Sequence, residues 1–192
     1  MGKLLAALYD PVMRRAERAG VAAWRRELLA DLAGTVVEVG AGTGANAPHY
    51  PPGLDRLVLT EPDAAMRARI RGEVVDAPAE HLPFPDASAD AVVCTLVLCS
   101  VANQGEALDE IARVLKPGGR LVFLEHVADP ERIGLQRAIE PVWTRLAGNC
   151  HLTRDTLAAI AERFDVAGAI HGPLPGALPW LRASVRGAAR KR

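Results

Sequence analysis

The spacing of apolar positions changes repeatedly along the chain, and each change marks an element. Val21, Trp24, Leu28 and Leu32 recur at helical spacing with arginines between them. The stretch up to Leu32 therefore reads as helix in two pieces, opened by Pro11 and parted at Gly20. Thr35–Val39 is a β-branched run ending on glycine, which predicts a strand, then a Gly-rich turn and a short helix. Arg56–Thr60 predicts a second strand, with a helix starting at Pro62, where proline is tolerated. Glu73–Asp76 predicts a third, followed by a proline-rich loop over 78–89. Ala91–Leu98 is a continuous apolar run, as expected of a strand buried on both faces. Glu106–Leu115 has a helical apolar face, Lys116–Gly119 a turn, and Arg120–His126 a fifth strand. Helices over Arg132–Leu146 and Thr153–Arg163 and strand-like runs over Phe164–Ile170 and Leu181–Val185 complete the pattern.

Seven strands interleaved with helices imply one α/β domain, a mostly parallel sheet with helices on both faces. In such sheets ligands sit beyond the carboxyl ends of the strands, where the strand order reverses. Functional residues are therefore sought just after each strand.

Composition narrows the classes. Of 192 residues, 49% are apolar and the formal net charge is zero, which excludes a disordered chain and argues against nucleic acid as partner. Arg182, Arg186, Arg190, Lys191 and Arg192 lack acidic company and read as a solvated strand edge with a frayed terminus. Cys94, Cys99 and Cys150 are odd in number and have no metal-ligand spacing, so a reducing cytoplasm and no metal are expected. The opening apolar run is too short for a signal peptide or a membrane span, and no membrane contact is expected. A small-molecule partner and a monomer or dimer are expected.

Four groups of residues carry candidate chemistry. Glu38-Val-Gly-Ala-Gly-Thr-Gly44 follows the first strand; Gly40, Gly42 and Gly44 let the chain turn tightly and a ligand approach the backbone. Amides at the following helix start would suit an anion. Gly40, Gly42 and Ala45 also fit the dinucleotide pattern G-x-G-x-x-G/A. Glu61 ends the second strand about 20 residues on, where an acid accepts from both ribose hydroxyls; beside Pro62 it would otherwise favour only a helix dipole. The third group runs from Ala79-Glu80 through Leu-Pro-Phe-Pro to Asp86, with Asp90 before the buried strand; the fourth is Lys116-Pro-Gly-Gly119.

In this order and spacing these motifs, across residues 35–126, resemble the class I S-adenosylmethionine-dependent methyltransferases of the UbiE-like "methyltransferase type 11" group. The resemblance implies a Rossmann-like seven-stranded sheet and S-adenosylmethionine as cofactor, leaving S-adenosylhomocysteine as product. It divides the chain into an N-terminal helical lid (1–34), a cofactor core (35–127) and a substrate side (128–192). It implies that Glu38, Gly40, Ala41, Gly42 and Gly44 hold the methionine end and Glu61, with Pro62 beside it, the ribose. Ala79 and Glu80 would lie against the adenine, and Thr95 and Leu96 would border the sulfonium. Tyr9 would close over the cofactor or simply pack. The family often has aspartate where this chain has Pro78, which leaves adenine to Glu80, to backbone groups or to Asp76.

A narrower resemblance covers Cys94–Val101, Glu125–Val127, Pro141-x-Trp143 and Cys150-x-Leu-Thr-Arg154, which are similar to the alkyl-thiol methyltransferases of animals. Asn149 stands where that family has glycine. Its membrane-associated N-terminal segment is expected to be absent. A thiol acceptor is therefore implied, with O- or N-methylation of a natural product, quinone or lipid as the alternative and a non-catalytic cofactor-binding module as another. A nicotinamide oxidoreductase is weakened by the Leu-Pro-Phe-Pro and Lys-Pro-Gly-Gly motifs. His126 and His151 are the candidate bases, either of which would otherwise be satisfied by local hydrogen bonds; Asp10 and Glu125 rank below them. Trp24, Trp143, Met13 and Met66 read as core, and the chain shows no paired carboxylates.

Overall fold

The computed structural model describes residues 10, 11 and 13–192. Seven strands form one sheet: β1 (Thr35–Val39), β2 (Arg56–Thr60), β3 (Val74–Val75), β4 (Ala89–Thr95), β5 (Leu115–His126), β6 (Phe164–Pro173) and β7 (Ala183–Lys191). Their order is β3-β2-β1-β4-β5-β7-β6. The first five strands pair in parallel, and β7 runs antiparallel to both its neighbours. The order reverses between β1 and β4, so their carboxyl ends flank the crevice expected to hold a ligand.

Alternation along the central strands feeds two cores. Val37, Val39, Val92 and Cys94 face helices α3 (Gln104–Val114) and α5 (Thr156–Ala161) through Leu108, Ile111 and Ile160. Val36, Ala91 and Val93 face Leu29 and Leu32 on the other side, at the end of helix α1 (Ala22–Leu29). Ahead of α1 the chain kinks at Gly20, whose φ of 144° no ordinary side chain adopts readily, so the helix is in two pieces as the pattern predicts. Helix α4 (Ile133–Leu146) packs Ile139 and Trp143 against Cys99, Cys150 and Leu152. No helix among the described residues is long and apolar enough to cross a membrane.

The motifs outside the glycine turn act largely as fasteners. Lys116 Nζ donates to Asp90 at 2.7 Å while Asp90 also accepts from the Thr35 amide, which joins the starts of β1, β4 and β5. Arg113 on α3 donates to the carbonyls of Leu82 and Phe84 and to Asp86, and Glu110 accepts from the Leu82 amide, so α3 holds the proline-rich loop in shape.

Several boundaries differ from expectation; β5 begins at Leu115, so the Lys116–Gly119 turn expected before it lies within the strand. The apolar run predicted to stay a strand to Leu98 leaves the sheet at Thr95, because Leu96 takes a left-handed φ of 58° and the Val97 and Leu98 amides turn to Glu125 Oε1. No α-helix follows the glycine turn; Pro48 and the glycines leave a run of turns and one 3-10 turn, Ala47–His49. Helix α2 (Ala64–Arg67) begins two residues after Pro62, since the Asp63 side chain caps it by accepting from the Ala65 and Met66 amides. The basic end is neither an edge nor frayed. β7 lies between β5 and β6, Arg186 stacks 4.0 Å over the Trp24 ring, Lys191 donates to the Leu115 carbonyl, and Arg192 donates to Asp165.

Removing residues 190–192 is expected to cost about 2 kcal/mol, a fall of about 4–8 °C in Tm for a domain of this size. A thermal melt checks this; an unchanged Tm would mean that these contacts contribute nothing.

Candidate active site

The crevice is built on a buried polar network. Glu38 is 2% exposed on β1 and accepts from Asn46 Nδ2 at 2.9 Å and from the Tyr50 hydroxyl at 2.7 Å. Asn46 in turn accepts from Arg25 and donates to Thr95 Oγ1 at the end of β4. Arg25 is only 3% exposed and also donates to Thr95 and Glu17. Burial pushes the Glu38 carboxyl up to about 7, against the lowering pull of the Tyr50 and Asn46 hydrogen bonds and of the Arg25 charge. Glu38 thus supports the turn from below, with both oxygens already engaged.

Above it the glycines have separate reasons. Gly40 (φ 64°) carries the chain past the end of β4, where a Cβ would collide with Cγ2 of Val97. Gly42 (φ 60°) faces open space, with nothing within 4 Å of where a Cβ would stand. Its amide donates to Glu61 Oε2 at 2.7 Å, and Glu61 Oε1 accepts from the Asp63 amide. Ala41 is buried and donates to the Thr60 carbonyl, and the Gly44 amide closes a turn on the Ala41 carbonyl. Burial raises the Glu61 carboxyl above its ordinary range. Each of its oxygens keeps a lone pair for a further donor. The bare backbone at Gly42 beside this acid is a cradle that fits a ribose-bearing ligand.

The remaining candidates separate. Pro62 is exposed beside Glu61. Ala79 is buried in the core, whereas Glu80 accepts from the Asn103 amide at the start of α3, tying down the loop. Asp76, at the end of β3, pairs with Arg67, which also donates to the Glu61 carbonyl. Thr95 and Leu96 border the crevice at the end of β4. Asp10 accepts from Thr43 Oγ1 at 2.5 Å and from Arg69, tying its own position to the glycine turn. Tyr9 lies outside the described residues. A separate cavity of about 370 Å³, lined by Gly34, Asp90, Gly118 and Arg120 among others, lies at the amino ends of the strands, away from these groups.

His126 ends β5, buried, with Nε2 2.8 Å from Cys150 Sγ and Nδ1 unpartnered among the described residues. A hydrogen bond with Cys99, then burial, push the Cys150 thiol up. His151 is part-exposed, its Nδ1 3.5 Å from Glu140 Oε1. Trp143 and Trp180 meet edge to face at 6.1 Å beside Cys99, Cys150 and Leu152. Trp143 is thus a wall of this region as well as core. Cys99, His126 and Cys150 converge here although the sequence shows no metal spacing.

Residues 37–123 match the family model described as a methyltransferase domain. Thiol S-methyltransferase TMT1B of Rattus norvegicus is 41% identical over 139 residues, covering 64% of this chain and 56% of the relative. Its Homo sapiens counterpart is 40% identical, covering 69% of this chain and 63% of its own length. This chain therefore spans about 56–63% of the length of these curated relatives. A Thermotoga maritima structure described as a possible histamine N-methyltransferase shares the fold, with TM-score 0.71, 23% identity and coverage of 96% of this chain and 93% of that one. Residues 37–123 thus carry a methyltransferase domain, and the fold around it is one shared with solved S-adenosylmethionine-dependent methyltransferases. The family match removes the nicotinamide reading.

Periodicity passed over Arg25, Asn46 and Tyr50. Arg25 lies four residues after Val21 on the apolar helix face, and that placement was the available signal.

Gly42→Ala is expected to cost only about 1–2 kcal/mol in stability, the strain of a left-handed residue, yet to weaken S-adenosylhomocysteine binding more than about tenfold by filling the cradle. Gly40→Ala should instead destabilise the whole fold. Calorimetric titration and thermal melts of both variants check the contrast. Glu38 gives a pH signature. Its folded pKa of about 7 exceeds its unfolded value near 4.5, so the folded chain holds the extra proton and loses stability as pH rises between them. The span is about 3 kcal/mol, and Glu38→Gln should remove it in denaturant melts from pH 5 to pH 8.

Proposed function

We propose that the chain transfers the methyl group of S-adenosylmethionine to the sulfur of a small, fairly apolar thiol. The observation that carries this reading is the make-up of the acceptor side. Cys99, four residues beyond the carboxyl end of β4, packs with Cys150, Leu152, Trp143 and Trp180 into a cluster of soft and apolar groups. The relatives named thiol S-methyltransferases, at about 40% identity, support it.

When bound, the cofactor supplies an electrophilic methyl on a sulfonium. The protein's share is alignment. The Gly40–Gly44 turn and Glu61 would hold the amino-acid and ribose portions, Ala79 and Glu80 the adenine side, and Thr95 and Leu96 would border the methyl. In-line displacement gains most from this positioning. A thiol, with an ordinary pKa near 8.5, is partly ionised at neutral pH and needs little help from a base. His151, oriented by Glu140, is the candidate that would take the thiol proton, with His126 the second. The N-terminal segment held by Asp10 would serve as the lid. The chain's three buried free thiols, Cys94, Cys99 and Cys150, suit a reducing cytoplasm.

Incubating the purified chain with S-adenosylmethionine and panels of alkyl thiols, phenols, amines and quinones, read by product mass, checks this. Methylated thiols alone are the expected result. Methylation of phenols, amines or quinones but not thiols would replace the acceptor class. Binding of S-adenosylhomocysteine with no turnover on any panel would favour a regulatory module.

A further inference from the structure

The soft groups on the acceptor side are assembled too deliberately for filler. Cys99, His126 and Cys150 are 2%, 4% and 7% exposed, and one ligand atom from each lies within 4.8 Å of the other two. They come from three separate segments: the turn after β4, the end of β5, and the loop between α4 and α5. Backbone contacts lock these segments together. The His151 amide donates to the Cys99 carbonyl at 2.9 Å, Asn149 Nδ2 to the Ser100 carbonyl at 3.0 Å, and Arg154 to the Leu98 carbonyl at 2.8 Å. Glu140 holds the same loop to α4 by accepting from the Leu152 and Thr153 amides. Beside the cluster, Glu125 is fully buried and its Oε2 accepts no hydrogen bond among the described residues. A buried carboxylate oxygen without a partner is stabilised by a nearby cation.

We propose that Cys99, His126 and Cys150 form a binding site for a soft divalent cation of the zinc class. At Zn–S near 2.3 Å and Zn–N near 2.0–2.1 Å, a tetrahedral centre sets its ligand atoms roughly 3.5–3.8 Å apart. The Nε2–Sγ separation of 2.8 Å is shorter than that spacing and no pair of the three ligand atoms is more than 4.8 Å apart, so side-chain shifts of about 1 Å complete the site. On binding, two thiols lose their protons to solvent and two sulfur–metal bonds and one nitrogen–metal bond form; no electrons are exchanged. Three protein ligands leave one tetrahedral position for an exogenous ligand. Where the acceptor is a thiol, its sulfur suits that position, a step that rests on the function proposed above, whereas the cation site itself does not. As a ligand His126 is no longer a free base, which leaves that role to His151.

Cobalt(II) titration of the reduced, chelator-treated full chain tests the site without cofactor or acceptor, so its failure would leave methyl transfer standing. Expected are a thiolate-to-cobalt charge-transfer band and intense visible bands of tetrahedral cobalt, saturating at one equivalent and abolished by zinc. Cys99→Ser, Cys150→Ser and His126→Ala should each weaken binding by well over about tenfold, more than the usual loss when a group behind the ligands is altered. Cys94→Ser, buried in the other core, should not. Folding of each variant is confirmed by circular dichroism; should the variants fail to fold, stoichiometry and proton release on the native chain decide. Absence of the charge-transfer band in the folded chain, its survival in all three variants, or a Cys99–Cys150 disulfide in place of metal uptake would overturn the proposal.

Discussion

The site depends on a single buried cation. Arg25 sits where a helix facing the sheet would ordinarily present a leucine, and a charge in that position is tolerated only if its donors are matched. Its partners are Glu17 on its own segment, Asn46 in the glycine turn and Thr95 at the end of β4. Asn46 passes the constraint on to Glu38 and so to β1. The position of the N-terminal helix, the shape of the cradle and the end of the strand beside the reacting centre are thereby one unit. Asp10 adds a second tie from the same segment to Thr43. The crevice at the ends of β1 and β4 is thus bonded both to α1 and to the segment ahead of it.

The outer motifs matter to the chemistry at one remove. The Lys116–Asp90 pair sets the starts of three strands, and so where their far ends stop. Arg113 and Glu110 fix a loop whose prolines give it no ladder of its own. Glu80, which motif position assigns to adenine, also accepts from the Asn103 amide just ahead of α3. Residues that recur together in a sequence pattern can serve the ligand by fixing the frame around it.

Much of this was legible in the chain. β1 and β2 fall where β-branched and apolar runs end on Gly40 and Glu61, because strand period and strand-end chemistry coincide there. Local pattern failed wherever a distant group decided the outcome. Ala91–Leu98 is uniformly apolar, yet the strand stops at Thr95 because a carboxylate from β5 draws off the next two amides. The basic last residues resemble a solvated tail, but their carbonyl and carboxylate partners lie on β5 and around the end of α5. Cys99, His126 and Cys150 are separated by 27 and 24 residues, a spacing without meaning until the sheet brings them together. Arg25 was counted among the polar positions of an amphipathic helix, which is what most arginines on such helices are.

The strand order also bears on how the chain is made. β5 is complete at His126, but its outer neighbour, β7, begins only at Ala183. β6 emerges first and has no sheet partner except β7. During synthesis the growing sheet therefore carries an open edge of hydrophobic strand for more than fifty residues, the kind of surface on which nascent chains misassociate. Helix α4 and the loop bearing Cys150 are produced in that interval and lie beside the same end of β5. Closing the sheet therefore waits on the last strand, Ala183–Lys191, which must insert between β5 and β6 after both have been made.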